Sequence, residues 1–410
     1  MKKLLLVLLI LSLFINHLNA NEKDLNIIQK DKKEYRLLEK ESIQTRQQSQ
    51  KYDWISPIDL SGNIGRNHSF SDENSRNLNN KNTKSASIGF TQSIFESGGI
   101  GFKMDYADNR FKYEMLSWEN QNSQLIYTIY NTLLDIKKLK LEINQNDYRI
   151  VNKDIELIIK KIQYEAGKTD IIELNNAIMS KNLILKEEIA LKNSLKEKEQ
   201  ELAKYTDLKY DEIEILDFQE TNKDIFLDKN YSILEADAKV EMLNSEYKIK
   251  KSQYLPKLSL SAKASYSSQD EKFNSMISDT NKDDATSSGS LILSMPLYDY
   301  TKSSKIQESK IEVLKQKALV NDLKNETAFE YEQIFTKIDT YLKQNETINK
   351  NIKLYEELIG ANQISSEAGM TSKYDLEILE NTKTINEFDI LINKINILQQ
   401  YAKLYFKIKN

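Results

Sequence analysis

The chain has 410 residues, with 58 Lys and Arg set against 62 Asp and Glu, ten glycines, three prolines and no cysteine. A formal net charge of −4 with no basic block excludes a nucleic-acid binder, and so few Gly and Pro are too few breaks for several compact domains. Without cysteine there is no disulfide, thiolate nucleophile or Cys–zinc site, and His17 and His68 alone cannot make a multi-histidine metal centre; no metal and no cofactor is expected.

The N-terminus reads as an address. Lys2 and Lys3 precede the apolar run Leu4 to Ile15, closed by Leu18-Asn19-Ala20, so residues 1–20 are expected to be a signal peptide of bacterial secretory type. No later stretch reaches the roughly 18 apolar residues of a membrane-crossing helix. The mature chain is expected to be exported without an α-helical anchor.

Residues 21–206 form the first of two expected repeats. A polar, helix-favouring segment up to about 52 gives way at Pro57 to the alternation Ile58-Asp59-Leu60-Ser61-Gly62-Asn63-Ile64, a strand with two unlike faces over about 54–66. Residues 66–84, rich in Asn, Ser and charge, read as a loop, and alternation resumes over about 86–97. A helix follows over about 102–164 and carries two apolar stripes. One runs through Leu125, Ile129, Ile136, Ile143 and Ile150, the other through Ile126, Tyr130, Leu134, Tyr148 and Ile155. Two stripes about 100° apart ask for a partner on each side, in a closed ring of helices or in a small bundle. Tyr164-Glu165-Ala166-Gly167-Lys168 makes a tight turn into a return helix over about 170–205, with Thr169 or Asp170 as its cap.

After a connector at 207–228 the pattern repeats over 229–410. Pro57, Phe95 and Gly167 find counterparts in Pro256, Tyr298 and Gly369 at offsets of 199, 203 and 202, which points to an internal duplication. Strands are expected over about 256–266 and 289–298, separated by a polar loop at 267–288, and helices over about 301–364 and 371–408. The first of those helices returns a buried-type residue every seventh position, at Ile306, Val313, Val320, Thr327, Ile334, Tyr341, Ile348 and Tyr355. A heptad held this long means a helix lying along another helix, a rod of roughly 90 Å.

Strands of about ten alternating residues suit a transmembrane barrel, although single-strand alternation also fits the edge of a soluble sandwich. Four strands cannot close on themselves, and open edges in lipid are prohibitive, so a membrane reading needs several copies around one axis.

Taken together, the strand opening Tyr254-Leu255-Pro256-Lys257-Leu258, the strand exits Gln92-Ser93-Ile94-Phe95-Glu96-Ser97-Gly98-Gly99 and Met295-Pro296-Leu297-Tyr298-Asp299, the two Glu-Ala-Gly turns and the duplication resemble the TolC-type outer-membrane efflux proteins over essentially the whole mature chain. The resemblance implies a mainly α fold with transmembrane β: a homotrimer whose 12-stranded β-barrel continues into a periplasmic α-barrel. It implies a passive exit duct and not an enzyme, set in outer-membrane lipid. Its tip is opened by a periplasmic adaptor and an inner-membrane transporter of RND, ABC or MFS type, in efflux or type I secretion. By the same resemblance Asp375 lines the pore constriction, with Glu173 its first-half equivalent. The turn residues Gly167, Lys168, Gly369 and Met370 are expected at the adaptor-docking tip. The chain departs from the family where a second tip acid would fall, at Ile378, and where a basic gate residue would stand, at Thr371. The competing reading is a periplasmic adaptor or coiled-coil structural protein, which predicts a single helical hairpin and no duplicated strand pair.

Overall fold

The computed structural model describes residues 25–69, 79–218, 220–270, 282–367 and 372–409. After a short 3-10 turn at Leu25–Ile27 the elements are α1 (Lys30–Tyr52), β1 (Asp59–Ser69), β2 (Asn79–Phe95), α2 (Gly99–Glu165), α3 (Ile171–Leu202), α4 (Lys223–Asp228), α5 (Tyr231–Ser252), β3 (Lys257–Asp270), β4 (Lys282–Ser294), α6 (Lys302–Glu367) and α7 (Lys373–Lys407). With the short α4 set aside, the order helix, strand, strand, long helix, return helix occurs twice. The chain divides into two units, one drawn from Met1–Lys40, Leu116–Leu234 and Asn321–Asn410, the other from Glu41–Met115 and Glu235–Val320.

The second unit holds one antiparallel sheet in the order β1-β2-β3-β4. Leu60 pairs with Ile88, Ile88 with Ala264 and Ala264 with Ser287, while Ser61, Ser87, Ser265 and Thr286 form the next row. Successive side chains point to opposite faces, so this register sorts them. Leu60, Ile64, Ile88, Leu260, Leu291 and Leu293 share one face, and a Ser- and Thr-rich set occupies the other. Each outer strand, β1 and β4, has a single neighbour among the described residues.

The strands differ from the alternation read in the sequence. β2 begins at Asn79, β1 runs to Ser69, β3 to Asp270, and β4 starts at Lys282, so pairing continues into the segments expected as loops at 66–84 and 267–288. Ladder hydrogen bonds need only backbone, whereas alternation survives only where one face meets an apolar medium. At the other end β1 starts at Asp59 and not 54, just after Pro57, and β4 stops at Ser294, before Pro296. Proline has no N–H to give the ladder.

In the first unit α2, α3, α6 and α7 lie along one another. The heptad of α6 points inward: Val320 lies at the border of the sheet unit, and within the helical unit Thr327, Ile334 and Ile338 are buried. Phe226 of α4, Leu404 of α7 and Ile408 just past it pack with Ile334 and Ile338 in one core cluster. Part of the connector is clamped there as well, with Tyr331 Oη donating to Thr221 O at 2.8 Å, and just past the connector Lys409 N donates to Lys229 O at 2.8 Å. Phe218 adds an aromatic contact, edge-on to Tyr130. No helix among the described residues is long and apolar enough to cross a membrane.

Candidate functional site

Two features stand out: the α2–α3 turn with the start of α7, and the two-faced sheet. Gly167 adopts φ +68°, the left-handed region where a Cβ is costly. Lys168 N donates to Gln163 O at 2.8 Å and Gly167 N to Tyr164 O at 2.9 Å, the paired bonds of a Schellman helix ending. Asp170 then caps α3, its Oδ1 accepting from Glu173 N at 2.9 Å. Glu173 is exposed, and its Oε2 accepts from Lys160 Nζ of α2 at 3.0 Å, so this carboxylate is engaged across the turn.

Ser372 caps α7 by accepting from Tyr374 N at 3.2 Å, and Asp375 N donates to Ser372 O at 3.0 Å. Asp375 therefore sits exposed in the first turn of α7, where a negative charge complements the helix dipole. Glu173 and Asp375 occupy equivalent positions in the two halves, each in the turn that opens a return helix. Gly369 and Met370, with Thr371, lie outside the described residues.

Side-chain amides clamp these helices together, which the apolar stripes did not reveal. Gln145 Nε2 donates to Asp389 Oδ1 at 2.7 Å and to Ile385 O at 2.9 Å. One heptad further on, Asn152 accepts from Asn381 Nδ2 at 2.9 Å and donates to Thr382 Oγ1 at 3.3 Å. Gln145 and Asn152 are both buried. Their seven-residue spacing was visible in the sequence; their burial was not, because amides read as surface residues. Across the other side of α2, Lys181 pairs with Asp154 and Arg149 with Glu187.

On its polar face the sheet is a field of hydroxyls that bond across strands. Ser61 meets Ser87 at 2.8 Å, Thr91 meets Ser261 at 3.1 Å and Ser265 meets Thr286 at 2.8 Å. The opposite face is apolar and bare: Leu60 is 79% exposed and Leu293 74%. Just past β4, Leu297, Tyr298 and Tyr300 also project into the open, matching the aromatic girdles that mark a membrane–water boundary. This arrangement offers a wall with a wet side and an oily side.

Residues 224–403 match the family model described as outer membrane efflux protein. No curated protein matches the sequence. Among solved structures the chain is similar to the outer membrane protein VceC of Vibrio cholerae, at 12% identity over 94% of this chain and 93% of that one, with a TM-score of 0.73. It is also similar to the CmeC outer membrane channel of Campylobacter jejuni, at 12% identity, 92% and 84% coverage and a TM-score of 0.70. A third likeness is to the MtrE outer membrane channel of Neisseria gonorrhoeae in its open state, at 11% identity, 91% and 85% coverage and a TM-score of 0.67. The resemblance to TolC-type outer-membrane efflux proteins read from the sequence is shown by these matches, and the fold is theirs throughout. The family is one of channel proteins, set in the outer membrane with an extension into the periplasm.

Proposed function

We propose, from an outer membrane efflux domain at 224–403 and a channel fold over the rest, that this chain is the outer-membrane exit duct of a tripartite efflux pump or a type I secretion system. It is a passive channel, and a periplasmic adaptor and an inner-membrane transporter supply the energy and the choice of cargo. The observation that carries this reading is incompleteness at both ends of the sheet. Four strands present an apolar face suited to lipid and leave β1 and β4 with one neighbour each among the described residues. Unpaired backbone groups in hydrocarbon cost several kcal/mol apiece. Three copies joined β4 to β1 make a closed wall of twelve strands with the hydroxyl face inside.

The helical unit supports the same closure. The outer side of α3 bares Ile171, Ile172, Met179 and Leu183, and that of α6 bares Phe329, Leu342, Leu354 and Ile364. Two unlike apolar edges on one chain suit a head-to-tail ring. The adaptor alternative predicts one hairpin, and α2–α3 and α6–α7 make two.

At the tip, Asp375 lines the constriction, with Glu173 beside it and partly neutralised by Lys160. The Gly167-Lys168 turn and its counterpart at Gly369-Met370 receive the adaptor. The reading is tested by fractionation, by size in mild detergent and by conductance in planar bilayers. The chain should pellet with outer membrane, run as a trimer and conduct, and Asp375→Asn should lower cation preference or divalent block. A lone water-soluble particle would end the duct reading; unchanged conductance would remove only Asp375.

A further inference from the structure

On the hydroxyl face of the sheet one row carries both signs of charge. Asp59 pairs with Gly89, and Gly89 pairs with Lys263. Strand spacing puts the acid and the lysine about 10 Å apart at their Cα atoms, with the glycine between them. A Cβ on Gly89 would lie 3.3 Å from both Cβ and Cγ of Lys263 and 2.9 Å from Ala262 O, so the lysine stem lies against the bare glycine. Hydroxyl pairs frame this row on both sides, Ser61 with Ser87 and Thr91 with Ser261. The notch so enclosed has a volume of about 440 Å³ and is lined by Asp59, Ser87, Gly89, Thr91 and Lys263 among others. That volume lies within the ordinary range of small-ligand sites, roughly 300–1,000 Å³. Between Ser259 and Ser267 the same face of β3 otherwise shows only serine, so Lys263 is a single cation within a run of hydroxyls, with Lys257 at the start of the strand.

We infer that Asp59, Gly89 and Lys263 form a collar in the duct that binds zwitterionic cargo, with Asp59 taking an ammonium group and Lys263 a carboxylate or phosphate. The inference rests on the duct reading, which makes the hydroxyl face the lumen. Glycine is the residue that fits between the two charges, because any side chain there would lift the lysine and fill the notch. In a trimer the row recurs three times, and the collar carries equal numbers of both signs. Its own contribution to ion preference is then small until one sign is removed.

Planar-bilayer recordings of the full-length trimer test this. Lys263→Gln should shift the reversal potential in a salt gradient towards cation preference and Asp59→Asn towards anion preference. Each shift should be a change of about threefold in permeability ratio, and the double variant should return near the parent. The zwitterion 6-aminohexanoate should block the parent channel more strongly than hexanoate or hexylammonium at equal concentration, and each single variant should lose that difference. Because the chain has no cysteine, Lys263→Cys offers a check that keeps the sleeve otherwise intact. A cationic thiol reagent should restore parent selectivity and an anionic one should reverse it. Channels that conduct normally but show no opposed shifts, or block equally with all three probes, overturn the collar and leave the duct standing. If the parent chain forms no channel at all, the duct reading fails and the collar with it.

Discussion

The two long helices are nearly equal in length, 67 residues in α2 and 66 in α6, yet they are buried very differently. In the helical unit α2 has α3 on one side and α7 on the other, and Ile129, Leu133, Leu134 and Ile136 are fully buried. Over the same unit α6 has α7 on one side, through Asn345–Asn393 and the Glu330 pairs with Lys403 and Lys407. Its other side leaves Phe329 65% and Ile364 72% exposed. The chain thus builds α2 as an interior stave and α6 as an edge stave. The same folding rule, a stripe wherever a neighbour lies, predicts an occupant from outside the chain for the edge stave.

The strongest way to break this contrast is to charge the edge. Phe329→Glu with Leu342→Glu should leave each protomer's helix content unchanged and abolish the trimer, seen as a shift to monomer by light scattering in mild detergent. Acids buried at a helix seam are too costly to keep. If the trimer survives, the α6 face is not an interface. The interior stave should respond the other way round. Leu133→Ala removes a fully buried side chain between two in-chain neighbours, and such truncations cost about 2–5 kcal/mol. It should lower the thermal unfolding midpoint of the protomer while assembly at low temperature persists.

Much of this was legible in the sequence, because heptads and alternation report directly on periodic burial. Thr327 and Ile334 were read as inward residues of α6 and are buried, and Tyr130 and Leu134 were read as one stripe of α2 and are buried. What a stripe does not reveal is who covers it. Tyr148 belongs to the second stripe of α2, and it and the nearby Val151, Ile158 and Ile162 are partly exposed within a single chain. Strand ends were misplaced for a related reason: where both faces of a strand meet water the period vanishes while the ladder continues. The buried amides Gln145 and Asn152, and the Lys160 partner of Glu173, depend on which helices meet, and no local pattern states that.

Acid offers a milder probe of the same two staves. Burial by itself would push the Glu330 carboxyl up, but the Lys403 and Lys407 ammonium groups outweigh it and hold the carboxyl below the ordinary glutamate value. A carboxylate depressed in the folded state adds stability above its unfolded pKa, about 4.3, and that stability is lost as pH falls through the lower folded value. The α6–α7 seam should therefore weaken in strong acid, and Glu330→Gln should remove that part of the pH dependence while lowering stability at neutral pH.

Glu142 of α2 lies on the other side of the comparison. Burial raises its carboxyl, with Asp135 adding to the rise and Lys138 opposing it. The sign reverses: above the raised folded pKa the buried charge costs stability, and the cost is relieved as pH falls from that value to the ordinary one. Glu142→Gln should raise the unfolding midpoint slightly at neutral pH and leave it unchanged near pH 4. The two substitutions should thus move neutral-pH stability in opposite directions, and a thermal melt series across that range reads both. Equal shifts of one sign would mean that the charges of the interior and edge staves are solvated alike, and that only the apolar residues distinguish them.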